Sequence, residues 1–163
     1  MARALIVGCG CHGRELGVEL SSRGWQVRGT SRGEEGLADI EEAGIEAVLA
    51  DPDRPGTVLD LVGDVAVVVW LMGNAVAESE VIAAIHGPRL ESLMEKLVDT
   101  PVRGFVYEAT GTVQSNRLEE GREIVQRASD TWRIPVAFVE DPRDRIGWVA
   151  ATADAADSLL APR

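Results

Sequence analysis

The chain has 163 residues, which supports one domain with a sizeable core and leaves little for a second. Its formal net charge of −11 argues against a nucleic-acid partner, because phosphate binding depends on clustered Lys and Arg. The two cysteines, Cys9 and Cys11, lack the spacing of redox and zinc motifs, so no metal site is expected. No signal peptide or membrane-length apolar run is visible, which predicts a cytoplasmic protein without a membrane partner.

The chain opens with a short apolar run and a glycine-rich bend. Residues 4–7 are long enough for one buried strand, and Gly8, Gly10 and Gly13 follow in G-x-G-x-x-G spacing. A helical pattern begins at once, because apolar and small residues recur at one-turn spacing. This strand–turn–helix context is what a dinucleotide-binding motif requires. The inward face of the predicted helix consists of Gly13, Leu16, Gly17 and Leu20.

Each glycine has its own role in this interpretation. Gly8 allows the tight turn, Gly10 lets the backbone approach a pyrophosphate, and Gly13 lets the helix pack close to the strand. The helix N-terminus supplies N–H groups and partial positive charge for the phosphates. The alternative is a glycine-rich turn that binds nothing. The residues between the glycines are assigned to the same cofactor site: Cys9, Cys11 and His12.

The end of the second strand decides which dinucleotide is expected. Residues 25–30 are predicted as this strand. A NAD site places Asp or Glu at its end to accept from the ribose 2′-OH, whereas this strand runs into Ser31 and Arg32. Arg32 offers a forked, charged donor to a 2′-phosphate, and the Thr30 and Ser31 hydroxyls donate to the same group. NADP is therefore predicted over NAD, with a solvated surface Arg32 as the alternative.

The first half of the predicted sheet continues to a central strand. Residues 33–43 are predicted as a helix and 45–50 as the third strand, and Pro55 opens the next helix. Asp51 follows the third strand, where it either binds adenine or caps the helix. Residues 64–72 are predicted as a central parallel strand, because a near-continuous β-branched run is buried on both faces.

The carboxyl ends of the later strands are expected to border the ligand, as they do in doubly wound sheets. Leu71, Met72 and Gly73 lie at the end of the central strand, with core and turn roles as the alternative for them. Thr110 and Thr112 follow the fifth strand and are the candidates for orienting a small-molecule substrate.

The remaining elements alternate in the same way. His86, beside a Gly-Pro break, is interpreted as a capping or surface residue rather than a catalyst. Glu108 and Glu140 lie near the carboxyl ends of predicted strands, where each is either a general base or, more simply, an exposed edge residue. The predicted fold class is α/β: one doubly wound Rossmann domain over residues 1–163, with a six-stranded parallel sheet in the order 3-2-1-4-5-6 and no separate substrate domain. The later predicted helices are 75–85, 88–98, 118–132 and 146–160, and the later strands are 102–109 and 135–140.

The pattern resembles the short-chain dehydrogenase/reductase superfamily, in particular its atypical and extended epimerase/dehydratase-like members, over roughly residues 3–142. The resemblance lies in VGCGCHGRELGVEL, GWQVRGTSR, LADPD, VVVWLMG and RGFVYEATGTV. The last stretch is similar to the family's fifth strand, which commonly ends in V-Y-x-S-S-x-G-V-Y. The resemblance implies NAD(P) bound across the sheet and a homodimer built from helices that flank the central strands.

The chain departs from this family at the catalytic pair. The family uses Tyr-x-x-x-Lys, whereas the only tyrosine, Tyr107, lies in the fifth strand and Lys96 on an earlier helix. Val113 and Arg117 stand at the tyrosine and lysine positions. Valine cannot transfer a proton, and arginine stays protonated and is a poor base. The sixth strand ends in Glu-Asp-Pro, where extended members carry Arg-Pro and then a substrate lobe.

Three functions therefore remain open. The first is an atypical NADP-dependent oxidoreductase on a small carbonyl, quinone or flavin-like substrate, which needs only to position the partners. In it Thr110 or Thr112 orients the substrate, and His12 is a weaker candidate as proton donor. The second is a non-catalytic sensor or partner subunit, and the third a fold used only for protein contacts, against which the intact glycines count. Cys9 and Cys11 are either reactive thiols at a helix N-terminus or small residues that fill the bend.

Overall fold

The computed structural model describes residues 2–161, in which six strands alternate with seven helices. The strands are Arg3–Val7 (β1), Gln26–Ser31 (β2), Glu46–Leu49 (β3), Val67–Trp70 (β4), Gly104–Glu108 (β5) and Val136–Val139 (β6). The helices are Cys11–Ser22 (α1), Glu34–Glu42 (α2), Pro55–Leu59 (α3), Ser79–Ile85 (α4), Pro88–Leu97 (α5), Ser115–Trp132 (α6) and Trp148–Leu160 (α7).

The sheet is parallel throughout and has the strand order β3-β2-β1-β4-β5-β6, which confirms the prediction. Its centre is β1, in which Ala4 lies opposite Val27 of β2 and Val67 of β4. The chain winds in one direction from β1 to β3 and in the other from β4 to β6. The crevice at such a switch point opens outside the carboxyl ends of β1 and β4, next to Gly8.

Alternate side chains of the central strands fill a core on each face of the sheet. Leu5 and Trp70 belong to the core under α3, α4, α5 and α6. Ile6 and Val69 belong to the core on the opposite face, under α1, α2 and α7. All four residues of β4 are buried, as expected of a central parallel strand.

Two predicted elements beside the crevice are shorter than expected. The predicted strand 64–72 is reduced to Val67–Trp70, and the predicted helix 75–85 begins only at Ser79. The backbone between them forms a loop, in which Gly73 O accepts a hydrogen bond from Val113 N at 3.0 Å. This loop borders the crevice.

The last helix is tied to the first by side-chain hydrogen bonds. Arg23, at the end of α1, donates to Asp154 at 2.7 Å and to Asp157 at 2.8 Å. The Trp25 indole N–H donates to Asp157 at 2.8 Å. Helix α7 begins at Trp148 rather than at the predicted residue 146, because Gly147 with φ +91 is in a left-handed conformation that a helix does not contain.

Candidate functional site

The bend between β1 and α1 is tight because Gly8 adopts φ +86, in the left-handed region. A Cβ at Gly8 would lie 2.6 Å from Leu71 O and would collide with the Met72 methyl group, so only glycine fits. The Gly8 N–H donates to Thr30 Oγ1 at 3.2 Å, and the Cys9 N–H donates to Thr30 O at 3.0 Å. Thr30 therefore holds the bend, while its own hydroxyl hydrogen remains for another acceptor.

Gly10 and Gly13 differ in what surrounds them. A Cβ at Gly10 would meet no described atom within 4 Å, so the space beside Gly10 is open. A Cβ at Gly13 would lie 3.2 Å from Gly8 O, so α1 approaches the bend closely. Gly10 is the N-cap residue of α1, and no side chain caps this helix. The N–H groups of its first turn therefore have no intrahelical acceptor and suit an anion.

A cleft of about 300 Å³ lies along the carboxyl ends of β1, β2, β3 and β4. This volume is at the lower end of small-molecule sites. Much of the cofactor site predicted from the sequence lines it. The predicted residues in the lining are Gly8, Cys9, Gly10, Thr30, Ser31, Arg32, Asp51, Leu71 and Met72.

The other predicted site residues are not part of this lining. The His12 ring packs edge-on against Trp148, with ring centroids 5.9 Å apart. Thr110 is half-buried and Thr112 exposed, both on the loop after β5. The two residues predicted to orient a substrate are thus not part of the lining, although the Thr112 N–H donates to Asn74, which is. The full set outside the lining is Cys11, His12, Gly13, Gly73, Thr110 and Thr112.

Two arginines line the cleft near the glycine bend. Arg14 lies in the first turn of α1, and Arg32 follows β2. Neither forms a salt bridge within residues 2–161. Both guanidinium groups are therefore available to a ligand anion.

Ser31 closes the turn into α2. Its hydroxyl accepts from Gly33 N at 3.2 Å and donates to Gly33 O at 2.8 Å.

Asp51 holds a turn and faces the cleft. Its carboxylate accepts from the Asp53 N–H at 3.0 Å. The N-cap residue of α3 is Arg54, so Asp51 stabilises the turn that precedes the helix rather than the helix end itself. Since Asp51 also lines the cleft, its turn contact and its predicted place near the adenine are compatible.

The two cysteines have different environments. Cys9 is buried, and burial raises the pKa of its thiol to about 12, against a smaller lowering effect of Arg14. A thiol with such a pKa is not a nucleophile near neutral pH. Cys9 therefore fills the bend, which agrees with the second of its two interpretations. Cys11 is exposed.

A buried ion pair lies at the far side of the cleft. Glu108, the last residue of β5, is fully buried, so its interpretation as an exposed edge residue is wrong. Its carboxylate accepts from Arg143 Nε at 2.7 Å and from Arg143 Nη2 at 2.9 Å, in a bidentate geometry. It also accepts from the Gly73 N–H at 2.8 Å. Arg143 Nη2 donates in addition to Leu71 O at 3.3 Å, and Arg143 lines the cleft.

The loops after β4 and β5 are joined to each other. The Val113 N–H donates to Gly73 O at 3.0 Å, and the Thr112 N–H donates to Asn74 Oδ1 at 3.1 Å. Gly111 has φ +151, and a Cβ there would collide with Gly73 O. The two loops thus approach each other as closely as a glycine allows.

His86 forms part of a buried polar pair. It is the C-cap residue of α4, as a capping role predicts, but its side chain is fully buried, so a surface position is wrong. His86 Nε2 lies 2.9 Å from Met72 O and Nδ1 lies 2.7 Å from Tyr107 Oη. A carbonyl only accepts, so Nε2 carries a proton. In the neutral ring Nδ1 then accepts from the Tyr107 hydroxyl, whose oxygen also lies 3.3 Å from Leu118 O. Burial lowers the pKa of His86, which favours this neutral ring.

We expect the free energy of unfolding to fall as the pH drops below about 6.5, the ordinary pKa of histidine. Because the pKa of His86 is lowered in the folded state, the unfolded chain binds the proton first, and stability decreases until the pH reaches the folded-state pKa. Urea denaturation at about pH 7.5 and about pH 5.5 measures the change. The decrease should shrink in His86→Gln and persist in His12→Gln, the other histidine of the chain. Equal decreases in both variants would contradict the assignment.

The groups at the expected catalytic positions make structural contacts. Val113 is buried, and Arg117 Nη1 lies 3.7 Å from Glu120 Oε2. Burial and the neighbouring carboxylates, Glu108 first among them, raise the pKa of Tyr107. Tyr107 therefore stays protonated and hydrogen-bonded to His86. None of these side chains lines the cleft.

Sequence reasoning missed part of the lining for an identifiable reason. Because residues 75–85 were predicted as a continuous helix, the loop that precedes Ser79 and borders the cleft was not recognised. Arg143 lies in the polar run EDPRDR, whose position after a predicted strand was the available signal. The residues of the lining that the sequence did not assign are Arg14, Gly36, Ala50, Pro52, Asn74, Ala75, Val76, Ala77, Val81, Ile85 and Arg143.

The described residues offer no alternative site of two common kinds. Within residues 2–161, no group of three or more His, Cys, Asp or Glu side chains is placed to hold a metal ion. No helix in the same part of the chain is long and apolar enough to cross a membrane.

No protein-family model and no curated protein matches the sequence. Solved structures are similar to it in fold. A short-chain dehydrogenase from Rhodopseudomonas palustris has a TM-score of 0.70 and 16% identity, covering 99% of this chain and 92% of that one. Vestitone reductase from alfalfa (Medicago sativa L.) has a TM-score of 0.65 and 14% identity, covering 85% of this chain and 56% of that one. The Citrobacter sp. triphenylmethane reductase complexed with NADP(H) has a TM-score of 0.62 and 16% identity, covering 85% of this chain and 49% of that one.

The chain spans about half the length of the two reductases and most of the dehydrogenase. These structures share with it the parallel sheet and the flanking helices, at identities of 14% and 16%. The chain therefore has the Rossmann fold of the short-chain dehydrogenase/reductase structures.

Proposed function

We propose that this protein binds NADP(H), with the diphosphate at the glycine bend and the 2′-phosphate beside Arg32. The observation that carries the proposal is the meeting of Gly10, Thr30 and Arg32 in one cleft. An open glycine at a helix N-terminus and a cation after the second strand are the two features that an NADP site needs. The similar Citrobacter reductase is complexed with NADP(H), which agrees with this choice.

Each end of the cleft has a separate role in the proposal. The N–H groups at the start of α1 bind the diphosphate, since the absent side chain at Gly10 leaves room for it. Arg14 adds a cation at the same end, and the Asp51 carboxylate faces the adenosine side. A bound NADPH would supply a hydride only if a substrate were bound beside it.

The preference for NADP over NAD follows from charge at the end of β2. A NAD site places a carboxylate there, and this carboxylate would repel a 2′-phosphate. This chain has Ser31 and Arg32 instead. The Arg32 side chain is exposed and has no salt-bridge partner within residues 2–161, so no existing ion pair has to break when it binds a phosphate.

Replacing Arg32 with Ala is expected to remove most of the preference for NADPH over NADH. A charge-assisted hydrogen bond contributes about 1.5–3 kcal/mol, which corresponds to roughly 10- to 150-fold in relative affinity. Isothermal titration calorimetry of both cofactors measures this ratio. Arg103 immediately precedes β5, at the amino ends of the strands, whereas the cleft lies at their carboxyl ends. Arg103→Ala removes the same charge there and should leave the ratio of the two affinities unchanged. An unchanged ratio in Arg32→Ala would contradict the role given to Arg32.

A non-catalytic role, as a cofactor sensor or a partner subunit, is favoured for this binding site. Val113 and Arg117 replace the expected proton-transfer pair. The Tyr107 hydroxyl is engaged in the core. Thr110 and Thr112 lie outside the lining of the cleft. His12, the weaker candidate for a proton donor, packs against Trp148 and does not line the cleft either. The side chains that the sequence nominates therefore do not supply a proton donor in the lining of the cleft.

An atypical oxidoreductase on a small carbonyl, quinone or flavin-like substrate is the second candidate, supported by the reductases of the same fold. Incubation with NADPH and a panel of quinones, flavins and aldehydes separates the two. We expect binding without sustained oxidation of NADPH. Continued oxidation that scales with protein concentration would instead establish an enzyme, and a variant that does not bind NADPH controls for contaminating activity.

The homodimer and the organisation as a single domain over residues 1–163 stay predictions. A dimer built from helices that flank the central strands would involve α5 and α6, which pack against each other beside the sheet. Light scattering after size-exclusion chromatography determines the mass in solution.

A further inference from the structure

We infer that the Glu108–Arg143 pair restricts the cleft to the adenosine half of its ligand and keeps the nicotinamide half outside. The ligand class is thus an adenosine diphosphate that carries a phosphate on its ribose. The inference rests on the proposed function, because it takes nucleotide binding at the glycine bend as given. In a doubly wound sheet, each half binds one mononucleotide, on either side of the switch point.

The lining of the cleft comes from the carboxyl ends of β1 to β4 and reaches neither β5 nor, apart from Arg143, the segment after β6. It is built by the bend after β1, the loops after β2, β3 and β4, and helix α4. Within the described residues, Arg143 is the only lining residue that comes after helix α4 in the sequence. Thr110 and Thr112, at the end of β5, do not take part. The open space therefore covers the adenosine side and the loop after β4, and Arg143 is the one side chain from beyond α4 in the described chain that borders it.

Arg143 forms the wall at which the space ends. Its guanidinium extends from the loop after β6 to Glu108 at the end of β5 and to Leu71 O after β4. One side chain thus bridges the carboxyl ends of all three strands of the second half. The side chain of Arg143 is 18% exposed and that of Glu108 is 0% exposed, so the pair is a buried element and not a mobile surface contact.

The loops beside the pair are closed as well. Gly73 donates to Glu108 at 2.8 Å and accepts from Val113 at 3.0 Å, and Asn74 accepts from Thr112 at 3.1 Å. A ring inserted between these loops would break their hydrogen bonds. It would also separate Glu108 from Arg143, its only salt-bridge partner within residues 2–161.

The charges favour the same division. Glu108 neutralises Arg143, so the pair adds no net attraction for a phosphate on the second side. Arg14 and Arg32, which line the cleft without a salt-bridge partner in residues 2–161, both lie on the adenosine side. The cations without a salt-bridge partner in residues 2–161 therefore lie where the diphosphate and the 2′-phosphate are proposed to bind.

The test compares NADPH with 2′-phosphoadenosine 5′-diphosphoribose, which lacks only the nicotinamide. Isothermal titration calorimetry on the full chain should give affinities within about threefold of each other, since the nicotinamide makes no contact. NADPH binding more than about tenfold tighter would overturn this inference and leave the proposed function intact. Binding of neither ligand would overturn the proposed function itself.

Two further measurements test the wall directly. The double variant Glu108→Gln, Arg143→Ala removes it without leaving a buried charge, and NADPH should then bind at least about tenfold tighter than the probe. An unchanged ratio overturns the role of the pair. Arg145→Ala, an exposed residue of the same loop that pairs with Asp141, should behave like the unmodified protein. In the unmodified protein, nicotinamide fluorescence should not change when NADPH binds, and enhanced emission would overturn the inference without any variant.

Discussion

Arg143→Met is expected to lower the free energy of unfolding by about 3–5 kcal/mol, because it leaves the Glu108 carboxylate buried without a cation. The carboxylate keeps its hydrogen bonds from the Gly73 N–H at 2.8 Å and from Asn74 Nδ2 at 3.5 Å, but these neutral donors do not compensate a full charge away from water. The free energy of unfolding of a natural domain is about 5–15 kcal/mol, so the variant loses a large part of its stability. Urea denaturation followed by circular dichroism measures the loss.

Removing both charges should restore most of that stability. Glu108→Leu with Arg143→Met replaces the pair by apolar side chains, and such replacements are often neutral. Arg145→Met, which breaks an exposed pair with Asp141, should cost less than about 0.5 kcal/mol and serves as the control. If the double variant is as unstable as the single one, packing around Arg143 and not the uncompensated charge is the cause.

Gly10→Val is expected to fold and to bind NADPH at least about 100-fold more weakly, a loss of about 3 kcal/mol. The new Cβ meets no described atom of the protein within 4 Å, so the methyl groups enter only the space assigned to the diphosphate. Loss of a favourable N-cap residue costs about 1 kcal/mol of stability. Thermal melting and isothermal titration calorimetry on the same preparation separate the loss of stability from the loss of NADPH binding.

Variants of two other glycines serve as controls for Gly10→Val. Gly56→Val introduces the same side chain into equally open space in α3, outside the cleft, and should leave NADPH binding unchanged. Gly8→Val should prevent folding or strongly destabilise it, because φ +86 and the approach of Leu71 O exclude a side chain. Tight NADPH binding by Gly10→Val would show that the diphosphate does not lie at the bend.

The sheet was predictable because its signals are local. The apolar runs that became β1 and β4, and the helical spacing of Leu90, Leu93 and Met94, each lie within one short segment. Strands that alternate with helices allow few arrangements once crossovers are right-handed, so the strand order followed. The glycine bend was predictable for the same reason, since Gly8, Gly10 and Gly13 act within one turn.

The errors concern side chains whose partners are distant in sequence. Glu108 is buried because of Arg143, and His86 is buried because Tyr107 lies beside it. No periodicity within one element reports such a pairing. The loop at Gly73 is of the same kind, because its hydrogen bonds come from the segment that follows β5. The candidate site was therefore predictable where backbone builds it and not where a remote side chain closes it.

The contacts between α1 and α7 determine the order in which a growing chain can complete its fold. Arg23 leaves the ribosome long before Asp154 and Asp157, the residues to which it donates. Until α7 is synthesised, the sheet face that carries Val67 and Val106 lacks its covering helix. Docking of α7 is consequently a late event in biosynthesis, and a nascent chain that stalls before Trp148 presents an apolar face to chaperones.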